Sequence, residues 1–148
     1  MSDIPLLPMA VVISAGVAVA CQAPINAALG RSIGSGVAAA GVSFGIGFAV
    51  LVVVAVLIGQ GASLLAVPGA PPFLLIGGTL GAFFVWSMLW SVPIMGVVTA
   101  TAALILGQMC AALVLDAIGA FGLPKQPVSL TRLGAVLLVA AGLVLSRV

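Results

Sequence analysis

Residues 36–58 read GVAAAGVSFGIGFAVLVVVAVLI, and no side chain in the run carries a charge. About 20 such residues suffice to cross the ~30 Å hydrocarbon core of a bilayer as a helix. The run is continuously apolar and does not alternate, which argues for a helix and against a strand of a membrane barrel. Working outward, residues 6–29 form a comparable run that ends at Gly30-Arg31-Ser32. Downstream, a neutral stretch rich in Gly and Pro, 59–72, leads to a third run over 73–90. Pro93 is expected to open a fourth, 93–115, because a proline in the first helical turn loses a donor that has no partner anyway. Residues 116–128 hold Lys125 and the turn formers Gly119, Gly122 and Pro124 before a last run over 130–146. The sequence predicts an all-α membrane protein of five transmembrane helices, with residues 1–148 as one integral membrane domain.

The six charged residues support this division. Asp3, Arg31, Asp116, Lys125, Arg132 and Arg147 fall at the seams between the runs. With five crossings, the amino end and the connections 59–72 and 116–128 share one side of the membrane, with Lys125 and Arg132. The turn after residue 29 and the carboxyl end share the other, with Arg31 and Arg147. Lys and Arg in short loops set the direction of insertion. Two against two gives no instruction, so the chain is expected to insert both ways up and to pair with an oppositely inserted copy.

Hydrophobic residues make up 64% of the chain and charged residues 4%, with a mean hydropathy of +1.50. Soluble domains carry roughly 25% charged residues, so a water-soluble fold is excluded. The sequence has no His, Glu or Tyr, which removes most general acids and bases and most metal ligands. No enzyme, metal site or cofactor is expected, and no basic patch exists to hold nucleic acid. Cys21 and Cys110 lie within apolar runs and read as small packing residues. The first run is expected to be a retained helix and not an export signal, because Asp3 is the one charge before it and a signal peptide needs a basic start. Glycine pairs at four-residue spacing (30/34, 41/45 and 77/81) offer small faces for close helix contact in lipid.

The polar residues inside the runs carry the functional information. Gln22 and Asn26 are four apart and share a helix face. Each amide is costly to bury in hydrocarbon without a partner. Pro24 between them removes a backbone donor and frees the carbonyl of Ala20, so a local break is expected there. Ser43 sits in the glycine-dense run from Gly41 to Gly47. Thr79, Phe83, Trp86 and Trp90 form one stripe with Ser87 beside it, suited to the wall of a pocket for an amphipathic solute. Trp90, near a helix end, also suits an interfacial anchor. Thr101, Gln108 and Asp116 share another stripe, and Asp116 is the candidate for proton coupling. The expected substrate-binding set is Gln22, Asn26, Ser43, Phe83, Trp86, Ser87 and Gln108.

The run Gln22-Ala23-Pro24-Ile25-Asn26-Ala27-Ala28-Leu29-Gly30 resembles the signature of the YdcZ family, also called DUF606, of the drug/metabolite transporter superfamily. Further matches follow in order: Val42-Ser43-Phe44-Gly45-Ile46-Gly47, Gly77-Gly78-Thr79-Leu80-Gly81-Ala82, Pro93-Ile94-Met95-Gly96, Gly107-Gln108, Leu115-Asp116 with Gly119 to Gly122, and Arg132-Leu133-Gly134. The resemblance implies a multi-pass bacterial inner-membrane protein of five helices, with single-gene members forming antiparallel homodimers. It also implies kinship with small multidrug resistance proteins, whose first helix uses a glutamate to bind cations and protons. This chain has no glutamate, and Gln22 and Asn26 are the nearest analogues. The expected function is therefore transport of a small metabolite or drug-like solute, neutral or anionic, through a site shared by two oppositely inserted chains. The alternative is a non-transporting accessory subunit or half of a heterodimeric transporter.

Overall fold

The computed structural model describes residues 6–148, so Asp3 lies outside the described residues. The described chain is all helical. Four helices are long and apolar enough to cross a membrane, and a fifth apolar helix is shorter. The chain divides into two compact units, one ending at Ile94 and the other covering Met95–Val148.

The first unit is built on α1 (Leu6–Ile33), α2 (Gly36–Leu57) and nearly all of α3 (Ile76–Met95). The turn between α1 and α2 is a compact reversal. Gly34 takes φ +76°, a conformation open to glycine because it lacks a Cβ. The Ser35 amide then donates to the Gly30 carbonyl at 3.0 Å, five residues back, which satisfies an orphan acceptor at the end of α1. The Ser35 hydroxyl in turn accepts from the Ala38 amide at 3.2 Å and caps α2. Two residues, Gly34 and Ser35, thus end one helix and start the next.

At this seam the two backbones approach closely. A Cβ placed on Gly30 would meet the Gly36 Cα at 3.2 Å. Gly30→Leu is expected to destabilise the protein by roughly 1–3 kcal/mol, the usual cost of overpacking a tight contact. Gly16→Leu, where a Cβ meets nothing within 4 Å, should leave the melting midpoint of detergent-purified protein unchanged. Equal midpoints for the two variants would remove the close approach as a structural requirement.

The core of this unit is small. Ala27 of α1, Ala40 of α2 and Val85 and Leu89 of α3 are buried together, with Phe84 packed against them. Most large apolar side chains face outward, Leu51 and Leu57 among them. In water that exposure would drive association; in lipid it is the ordinary outer surface of a spanning helix, where close packing depends on small residues.

The connection 59–72 is not open coil. It winds as a 3₁₀ segment over Gly61–Gly69, and a second over Pro72–Leu75 leads into α3. Pro93, expected to open the fourth helix, lies instead inside the last turn of α3, and α4 starts at Val97. The separator is Gly96, whose φ of +82° ends helical geometry. A proline near a helix end removes a single backbone bond, which a spanning helix tolerates.

The second unit is a two-helix hairpin of α4 (Val97–Ile118) and α5 (Leu130–Leu145). Its ends are tied by polar contacts. Arg132 pairs with Asp116 where α4 finishes and α5 begins. At the other end Thr99 Oγ1 donates to the Ser146 carbonyl at 3.2 Å, and Ser146 Oγ donates back to Thr99 Oγ1 at 3.2 Å. The Ser129 hydroxyl caps α5 by accepting from the Arg132 amide at 3.3 Å. The expected run 130–146 therefore exists as a helix of 16 residues. At 1.5 Å per residue it is about 24 Å long, short of a ~30 Å core by itself.

Candidate functional site

Hydrocarbon gives a carboxamide nothing to bond, so a buried amide must find its partner in the protein. Asn26 is 6% exposed, and it does so across the α1–α2 contact. Asn26 Nδ2 donates to Ser43 Oγ at 3.2 Å, and Gln22 Nε2 donates to the same oxygen at 3.3 Å. A hydroxyl oxygen has two lone pairs, so these two bonds fill its acceptor capacity and leave its own hydrogen to donate. Each amide keeps a carbonyl oxygen and a second N–H. The cluster therefore concentrates several neutral donors and acceptors where two helices meet.

The cluster opens on a cavity. Gln22 and Ser43 line a space of about 390 Å³ together with Phe44, Gly47, Phe48 and Leu51. On the other side, Gln22 and Asn26 border a crevice of about 10 Å³ under Phe84, Val85, Met88 and Leu89, room for a single water at most. Phe44 is held over Gly81 of α3, where an added Cβ would touch the ring at 3.5 Å. The walls are thus one amide–hydroxyl edge and an apolar remainder, the usual composition of a small-molecule site.

The helix carrying Gln22 and Asn26 is continuous. The local break expected at Pro24 does not occur, and α1 runs from Leu6 to Ile33 through the proline. The missing donor costs one backbone bond, while the flanking turns keep theirs. The two amides are consequently held at true helical spacing on one face, which is what allows both to reach Ser43.

Of the expected set, Gln22, Asn26 and Ser43 come together. The aromatic stripe is real but serves a different space. Phe83 and Trp86 lie 6.0 Å apart between ring centroids, and Trp86 and Trp90 lie 6.5 Å apart and nearly parallel. Trp86 and Trp90 line a separate cavity of about 520 Å³ with Arg31 and the Gly34–Val37 turn. Phe83 is exposed. The Ser87 hydroxyl donates to the Phe84 carbonyl of its own helix at 2.8 Å. Gln108 belongs to the second unit, where it is exposed on α4. Asp116 is engaged by Arg132.

Phe44, Phe48 and Arg31 were not legible as site residues in the sequence. The two phenylalanines follow Ser43 by one and five positions, and a four-residue offset between them was an available signal. Arg31 reads as a topology signal alone until the fold sets it beside the two tryptophans.

Comparison with known proteins agrees with this architecture. A family model described as "Putative inner membrane exporter, YdcZ" matches residues 7–145. No curated protein and no solved structure matches the chain. The match takes in the amide–hydroxyl cluster, and the chain belongs to the YdcZ family, a multi-pass inner-membrane transporter.

Proposed function

We propose that the protein moves a small neutral or anionic solute across the inner membrane, recognising it with Gln22, Asn26 and Ser43. One observation carries this reading: two carboxamides converge on one hydroxyl at the edge of a cavity of about 390 Å³. Such a group offers donors and acceptors without charge, so it exchanges bonds with a polar solute at little desolvation cost. Phe44 and Phe48 pack against the solute's apolar part. Among the described residues no carboxylate borders the cavity, which disfavours a hydrophobic cation. Phe83, Trp86, Ser87 and Gln108 then contribute from outside this cavity, and Gln108 meets the solute across a dimer. Proton coupling at Asp116 requires the carboxylate to release Arg132.

The working unit in this reading is an antiparallel homodimer. Two copies related by an axis in the membrane plane make inward-open and outward-open states equivalent, as inverted repeats do within larger carriers. The hairpin supports the five-crossing count on which the pairing rests. Thr99 and Asp116 sit near opposite ends of α4 and are tied to Ser146, the residue that follows α5, and to Arg132 in its first turn. If α4 crosses, α5 crosses beside it, and Arg132 and Arg147 face opposite sides.

The test is reconstitution of the purified chain in liposomes with a screen of neutral and anionic metabolites by solid-supported membrane currents and isotope uptake. Saturable flux of at least one solute is expected from this chain alone. Absence of flux across the screen, with flux appearing once a second five-helix chain is added, would assign it instead as half of a heterodimer.

A further inference from the structure

Arg31 has no obvious structural duty. Among the described residues the one ion pair is Asp116 with Arg132, and no hydrogen bond from the Arg31 guanidinium is formed with them. Yet Arg31 lines a cavity of about 520 Å³ whose other walls include Ala27, Leu89 and Pro93 and both tryptophans of the chain. That volume falls within the range of about 300–1,000 Å³ typical of small-molecule sites. The two indoles sit one helical turn apart, their planes within 8° of parallel. Parallel aromatic faces favour a flat ring. A guanidinium presents a planar fork that matches a carboxylate in two parallel hydrogen bonds.

We propose that this cavity binds an aromatic carboxylate, with Arg31 holding the carboxylate and Trp86 and Trp90 flanking the ring. The inference deepens the transport reading by giving its solute a charge sign and a shape, and it rests on that reading only for its link to flux. Leu89 borders both this cavity and the crevice beneath Asn26. An anion arriving at the α1–α2 turn is thus one side chain from the amide cluster, and the cavity serves as its entry site.

The chain supplies its own reporter, since Trp86 and Trp90 are the two tryptophans it contains. Tryptophan fluorescence of the full chain in neutral detergent is titrated with benzoate, and in parallel with benzamide and benzylamine, which keep the ring and change the charge. Benzoate should give a saturable change, and the other two should bind at least tenfold more weakly. Arg31→Gln should weaken benzoate at least tenfold. Arg31→Lys keeps the charge and its topology signal but loses the fork, so it should weaken benzoate several-fold and remain above the Gln variant. Equal binding of benzoate and benzamide, or an Arg31→Gln titration matching the parent, would overturn the site. So would competition by a short-chain anionic phospholipid but not by its zwitterionic analogue, which would make the cavity a lipid site. Binding and flux separate: benzoate that binds the parent chain while no solute is carried in liposomes overturns the transport reading alone, and flux without saturable benzoate binding overturns this site alone.

Discussion

Asn26→Ala lowers solute flux by roughly 10- to 100-fold in liposomes while leaving dimer yield and melting midpoint nearly unchanged. The two effects differ because the amide does two jobs. Toward the protein it makes one hydrogen bond, to Ser43, and such bonds between helices in a membrane average about 0.6 kcal/mol. In the proposed reading it offers the solute its remaining donor and acceptor once the crevice it borders opens toward the cavity lined by Gln22 and Ser43. Leaving a solute group unpaired there costs about 1–3 kcal/mol, which is the stated range in affinity. Ser43→Ala should behave differently. It strands the donors of both Gln22 and Asn26, so it costs stability as well as flux. A Gln22→Ala, Asn26→Ala double variant should lose less than the sum of its parts, because the two amides share one acceptor. Flux unchanged in Asn26→Ala would remove the cluster from the transport path.

The extent to which this molecule could be read from its sequence follows from what lipid demands. Hydrocarbon forces backbone bonds inside each segment, so residues 36–58 had no alternative to a helix, and α2 ends within one residue of the expected limit. Boundaries set by single backbone torsions were harder. Pro93 is the louder letter in the sequence, yet the break falls at Gly96, whose positive φ is invisible until the chain is folded. Pro24 misled in the same way, since its effect on α1 is one lost bond and no rupture. For the site, helical spacing alone put Gln22 and Asn26 on one face. Their meeting with Ser43 depends on the rotation and depth at which α2 docks, which the α1–α2 turn fixes and composition does not encode. The aromatic stripe shows the converse: Phe83, Trp86 and Trp90 hold their predicted spacing, but the cavity they border is shared with Arg31 and not with the amides.

Adding one lysine at either of two ends sorts the chain into single orientations and abolishes flux from each variant alone. With the proposed five crossings, the parent has Lys125 and Arg132 on one side and Arg31 and Arg147 on the other. The Asp116 partner of Arg132 does not cancel it, because acidic residues contribute little to the orientation signal. One further positive charge therefore decides the outcome. Val148→Lys adds to the Arg31 and Arg147 side at a fully exposed position. Gln126→Lys adds to the other side, and the bond from residue 126 to the Asp116 carbonyl survives because its donor is the backbone amide. Labelling of single cysteines in intact cells should find the parent in both orientations and each lysine variant predominantly in one, opposite to the other. A homodimer whose two halves must face opposite ways cannot form from either variant alone, so flux should fall to background. Co-expression of the two variants supplies both orientations and should restore flux to near the parent level. That rescue separates a topological requirement from simple damage, since a lysine that merely destabilised the fold would not be repaired by a second altered chain. A parent found wholly in one orientation, with full flux in either lysine variant, would exclude the antiparallel pair.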